Sequence, residues 1–155
     1  MLRAMRLPLL TVLVLAVAGC SILDGRPTLL PNGNKALRKT PAEFAFDAAQ
    51  RMPYPADVPV GRSFDVGAEV DYTFDQVHLL NFSGQSFEDV EVWINESYVV
   101  HLPVLPDGDK QELPFRIFYG EGGEHFPTNN RTVQVDSLRL LVSGEAVQVP
   151  LDIKD

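Results

Sequence analysis

The chain of 155 residues holds one cysteine, one tryptophan and three histidines, and its 13 basic residues are outnumbered by 21 acidic ones. A single thiol, Cys20, leaves no partner for an internal disulfide, a Cys-x-x-Cys redox pair or a cysteine-built zinc centre. His78, His101 and His125 fall in three different segments, and no two stand at helical or hairpin spacing to share a metal. The net charge of -8 and the want of any Lys/Arg-rich stretch argue against nucleic acid, whose phosphates need a basic patch. Long apolar runs are also missing. The longest, residues 7–18, falls short of the roughly 20 apolar residues that span a bilayer. Pro8 stands near its start and Asp24 and Gly25 follow its end.

What is present begins at the N-terminus. Arg3 and Arg6 precede the apolar run, which closes on Val17-Ala18-Gly19-Cys20. A charged start, an apolar stretch and small residues before a cut describe a secretory signal. The motif resembles the lipobox of bacterial lipoproteins. The resemblance implies that the Cys20 thiol takes a diacylglyceryl group, that residues 1–19 are removed as a signal peptide, and that the new amino group takes a fatty acyl chain such as palmitate. The protein is then exported, and its first partner is a membrane, held through the lipid. Each buried methylene contributes about 0.8 kcal/mol, so two or three chains hold a protein where one lets it go. Ser21 follows the cysteine where inner-membrane lipoproteins often carry Asp, which favours an outer membrane in a cell that has two.

Loss of the signal takes Arg3 and Arg6 with it and leaves 11 basic residues against 21 acidic ones. The remaining length suits one domain with a sizeable core. Residues 20–39 scatter turn formers without a sustained period and read as the lipidated N-terminus and a tether, with Leu29 and Leu30 as residues able to dock on the domain. As a flexible coil, the tether would have a root-mean-square span of roughly 25 Å. Lys35, Arg38 and Lys39 make a small basic cluster on it. The domain proper is expected over 40–155. Thr40-Pro41-Ala42-Glu43 has the residues of a capping box, with proline at the first helical position, and predicts a short helix to about Arg51. Pro53 and Pro55 prevent its continuation.

Beyond the prolines the period changes to two. Phe64, Val66, Ala68, Val70, Tyr72 and Phe74 alternate with polar residues and predict one long strand. Residues 76–82 and 88–95, with a turn at 83–85, predict a hairpin in which Val90, Val92 and Ile94 share a face. A strand from Tyr98 to Leu102 follows, then one over 111–119. There, Pro114 removes a ladder donor and argues for an edge or bulge. Residues 120–131 form a Gly-rich loop. Residues 132–142 and 146–153 close the chain as a hairpin, with Val147, Val149, Leu151 and Ile153 facing the core.

About seven strands with one short helix predict an all-β fold, an antiparallel β-sandwich. The stretch from Asn81-Phe82-Ser83-Gly84 to Val90-Glu91-Val92, followed by Leu105-Pro106-Asp107-Gly108 and Phe115-Arg116-Ile117, resembles immunoglobulin-like modules of bacterial envelope proteins. The resemblance implies a fold and no activity.

Candidate chemistry is sparse. Glu121, Glu124 and His125 lie together in the Gly-rich loop and are weak metal candidates, without a recognised ligand spacing. Asp107-Gly108-Asp109 lacks the alternating ligands and distal Glu of an EF-hand and reads as a turn. Ser83 sits in a turn and in no Gly-x-Ser-x-Gly elbow, so no catalytic residue is expected. Asn81, Asn95 and Asn130 open Asn-x-Ser/Thr triplets that carry no meaning in a bacterial lipoprotein. Strict alternation places Trp93 with Asp89 and Glu91, opposite Val90, Val92 and Ile94. Trp93 with Tyr98 or His101 is the candidate interaction patch if that face is open, and a packing residue if it is covered. The expected role is non-enzymatic, binding a protein or envelope component or serving as a structural part, with no cofactor. A small-ligand or carbohydrate-binding module is the alternative, and a metal-dependent or hydrolytic enzyme a distant third.

Overall fold

The computed structural model of the protein describes residues 28–30, 33–61, 64–128 and 132–154. Cys20 and the signal therefore lie outside the described residues. Among those described, no helix is long and apolar enough to cross a membrane.

Among the described residues, nine strands form two sheets. β1 (Val66–Asp71), β2 (Gln76–Asn81), β5 (Lys110–Pro114) and β9 (Leu151–Lys154) make a four-stranded sheet in the order β5-β2-β1-β9. β3 (Phe87–Ile94), β4 (Tyr98–Leu105), β6 (Tyr119–Gly120), β7 (Leu138–Val142) and β8 (Glu145–Val149) make a five-stranded sheet in the order β6-β4-β3-β7-β8. All ladders between these strands are antiparallel except β1 with β9. The fold is an all-β sandwich. Alternation selects its core: Val66, Ala68 and Val70 from β1, Val77 and Leu79 from β2, and Val90, Val92 and Ile94 from β3 are all buried.

The strand count exceeds the expected seven because two apparent strands change sheet at a proline. The segment read as one strand over 111–119 ends as β5 at Pro114, on the sheet edge where a missing donor costs least. A 3-10 turn, Phe115–Ile117, then carries the chain across to β6 and buries both Phe115 and Ile117. The last segment divides likewise at Pro150, between β8 and β9. Val147 and Val149 face the core as expected, but Leu151 is half-buried and Ile153, on the open edge strand, is 50% exposed. The expected hairpin of residues 76–82 with 88–95 is also corrected, since β2 and β3 belong to different sheets. The long strand over 64–74 stops at Asp71, whose carboxylate accepts from the Thr73 and Phe74 amides and turns the chain, leaving Phe74 exposed.

Helix α1 (Pro41–Ala49) starts where the sequence places it. Thr40 Oγ1 accepts from the Glu43 amide, and the Glu43 carboxylate accepts from the Thr40 amide at 2.7 Å. That bond, with a second from the Thr40 hydroxyl, holds the Glu43 carboxyl below its ordinary range. Phe44 and Ala48 are buried where the helix packs on β4 and β6. Ahead of it, Leu37 in the 3-10 turn Lys35–Leu37 is fully buried, and Leu29 and Leu30 rest partly buried on the core. The packed domain therefore takes in residues 28–30 and 33–39, part of the stretch read as a tether.

Candidate functional site

The face of the five-stranded sheet that carries Glu91 and Trp93 is covered. After α1, residues 51–58 run across it, and the Tyr54 ring meets Trp93 edge-on at a centroid distance of 5.1 Å. Trp93 is fully buried, and its Nε1 donates to Glu91 Oε2 at 2.9 Å. Arg139, paired with Trp93 across β3 and β7, donates to the Tyr54 hydroxyl at 3.1 Å and stands over the same ring. The segment then continues to the edge of β8, where Gly61 donates to the Ala146 carbonyl and Ala146 to the Pro59 carbonyl. This pairing occupies an edge that would otherwise invite other strands.

Of the two alternatives for Trp93 the covered one holds, and the placing of Tyr98 beside it is corrected. Trp93 is a packing residue and offers no surface. Tyr98 pairs with the inward-facing Ile94, lies on the opposite side of the sheet and packs against Phe126 at 5.2 Å. His101 shares the Trp93 face, opposite Glu91, and its Nε2 lies 2.7 Å from Asp89 Oδ1. Asp89 adopts φ 52, and Phe87 and Val90 on either side of it are both buried, so the alternation shifts phase there.

Beside this pair is a cleft of about 590 Å³, bounded by Arg51, Pro53, Glu88, Asp89, Glu91 and Ser143. Arg51 bridges Asp47 at 3.1 Å and Glu91 at 3.2 Å. Its Nε is buried without a hydrogen-bond partner among the described residues. A guanidinium already held by two carboxylates is a poor anion receptor, so the cleft suits a polar or cationic group better than an acidic one. The signal that could have found this pair is the four-residue step from Asp47 to Arg51 at the helix end, which the reading of the sequence did not use. Glu91 was not identifiable as its third member, because only folding brings β3 under the helix end.

The Gly-rich loop does not assemble the weak metal candidates. Glu121, Glu124 and His125 are exposed, and no group of three His, Cys, Asp or Glu side chains among the described residues is placed to hold a metal ion. His125 instead contacts the Phe126 carbonyl through Nδ1 at 2.7 Å and the Tyr119 ring edge-on. The Glu124 carboxylate lies over Gly120, where an added Cβ would sit 2.6 Å from its Oε1 and 3.2 Å from Tyr98.

A second constellation escaped the sequence reading. On β1, β2 and β9, Glu69 meets His78 Nδ1 at 3.0 Å and Lys154 Nζ at 2.6 Å. His78 is buried, and its Nε2 has no hydrogen-bond partner among the described residues. The hydrogen bond from Lys154, then that from His78, holds the Glu69 carboxyl below its ordinary range, while Glu69 raises Lys154. A depressed carboxyl adds stability above its unfolded value and loses it as pH falls through the folded one. Stability is therefore expected to decline as pH falls below the unfolded glutamate value of about 4.3. Glu69→Gln should flatten that acid limb in denaturant titrations at stepped pH; an unchanged slope would remove Glu69 from the account. None of these residues had a local motif, since β9 joins β1 from the far end of the chain.

No family model, curated protein or solved structure matches the chain.

Proposed function

We propose that the protein is an exported bacterial lipoprotein, anchored by lipid on Cys20, whose β-sandwich serves as a non-enzymatic interaction or structural module at the cell envelope. The observation that carries this reading is Val17-Ala18-Gly19-Cys20 at the end of a short apolar run behind two arginines. It is supported by the use of the chain's one cysteine there, in a domain stabilised by packing without a disulfide. Ser21 favours an outer membrane where the cell has two. A small-ligand or carbohydrate-binding module is the second reading, favoured by the polar cleft beside Arg51 and Asp89.

The test is metabolic labelling with a palmitate analogue in a bacterial host, with the mass of the mature chain read in parallel. The wild-type chain should take up label and begin at Cys20. Cys20→Ser should take up none and retain residues 1–19, because processing requires the thioether. An unlabelled wild-type chain, or a labelled Cys20→Ser chain, would refute the reading.

A further inference from the structure

Basic residues are scarce in this chain, and the fold sorts them into two groups. Lys39 pairs with Asp47, Arg51 with Asp47 and Glu91, Arg139 with Glu96 and Lys154 with Glu69. The other cations among the described residues, Lys35, Arg38, Lys110 and Arg116, are exposed and have no carboxylate partner there.

All four surround the docked N-terminal segment. Lys35 opens the 3-10 turn and Arg38 closes it. Arg116 Nη2 donates to the Leu29 carbonyl at 2.9 Å, and the Leu29 amide donates to the Lys39 carbonyl. Asn34, which caps the turn, donates through Nδ2 to Gln111 Oε1 at 3.1 Å. Lys110, the neighbour of Gln111, lines one hollow with Leu30 and Asn34. Asp109 and Glu112 line it too and keep their charge, the Asp109 carboxylate accepting from the Gln111 side chain and the Lys110 amide. Four exposed cations against these two carboxylates leave an excess of positive charge around the segment, on a chain of net charge -8.

The position of this surface is set by chain length. Thr28 stands eight residues after Cys20, and eight residues reach at most about 28 Å. A lipid on Cys20 therefore keeps the domain near the bilayer by its N-terminal side, where these cations lie. At about 0.1 M salt, exposed charges act over roughly 10 Å, so the surface must approach closely to gain from anionic headgroups.

We propose that the face around Lys35, Arg38, Lys110 and Arg116 docks on the anionic headgroups of the bilayer that holds the anchor. This rests on the reading of Cys20 as the lipidated residue. It sets the orientation of the domain: β5 and the 3-10 turn face the membrane, and β8 and β9, at the opposite edge of the sandwich, face away.

The test places a photoreactive residue at exposed Ala36 or, as a control, at Ile153 on β9, in the full chain purified with its lipid and reconstituted in vesicles. In phosphatidylcholine containing about 30% phosphatidylglycerol, lipid adducts at position 36 should exceed those at 153 by about fivefold or more. The excess should collapse in pure phosphatidylcholine, at about 0.5 M salt, and in the triple variant Lys35→Glu, Arg38→Glu, Lys110→Glu. The salt and lipid arms use unaltered charges and stand even if the triple variant folds poorly. Equal yields at both positions in an acylated chain, or an excess indifferent to anionic lipid, would overturn the orientation alone. A purified chain whose mass shows no acyl group would overturn the reading of Cys20 and the orientation together.

Discussion

Trp93→Ala is expected to cost about 3–5 kcal/mol of unfolding free energy, the range for deleting a large buried aromatic. The indole is fully buried between the sheet and the segment that crosses it, so truncation removes contact on both sides. It also strips the Glu91 carboxylate of its indole donor. The same carboxylate pairs with Arg51, and Arg139 is tied to the Tyr54 ring that Trp93 supports. The loss should therefore spread into residues 51–58, seen as faster protease cleavage there before global unfolding. Trp93→Phe keeps much of the apolar area while losing the indole donor, and should cost about 1–2 kcal/mol. Denaturant titration measures both. A cost below about 1 kcal/mol for Trp93→Ala would mean that the covering segment is held elsewhere.

Asn81→Ala should be the next most damaging change, at about 2–4 kcal/mol, because it leaves several partly buried polar groups unpaired at once. Asn81 is fully buried at the end of β2. Its Nδ2 donates to the carbonyls of Gln85, Leu105 and Pro106, and its Oδ1 accepts from the Ser83 amide and hydroxyl. One side chain thereby fixes the passage from the four-stranded sheet into β3 and ties it to the end of β4. Asn81→Asp should be worse than alanine near neutral pH, since it turns a carboxylate toward three carbonyl oxygens, and should recover partly as the solution is acidified. Equal stability of the asparagine and alanine proteins by chemical denaturation would show that the passage is set by its backbone alone.

Asn81 also marks how far the sequence could be read. A run of turn formers at 83–85 announces a reversal, but a hairpin and a crossing between sheets begin with the same residues. What separates them is where the Asn81 amide finds its acceptors, and Leu105 and Pro106 lie more than twenty positions away. The two proline breaks carry the same lesson. Pro114 was legible as an edge residue, yet the departure of Phe115–Ile117 toward the other sheet depends on the buried ring contacts of Phe115 with Tyr72 and Phe126. The candidate patch failed for a related reason. Alternation correctly put Trp93 on the face opposite Val90, Val92 and Ile94, but alternation is silent on what covers a face, and Tyr54 arrives from a segment without any period.

Local chemistry in the sequence determined the helix start at Thr40, the end of that helix before its prolines, the all-β class and most of the buried apolar positions. Each depends on residues within a few positions of one another, where capping, proline geometry and the two-residue pleat act directly. The tertiary structure alone decided which sheet receives each strand, that the Trp93 face is closed, that Glu69 meets both His78 and Lys154, and that four cations with no carboxylate partner among the described residues gather around the N-terminal segment. These arrangements join residues far apart in the chain, such as Asn34 and Gln111, 77 positions apart. Their partners are selected by the packing of the whole core, which no local pattern encodes.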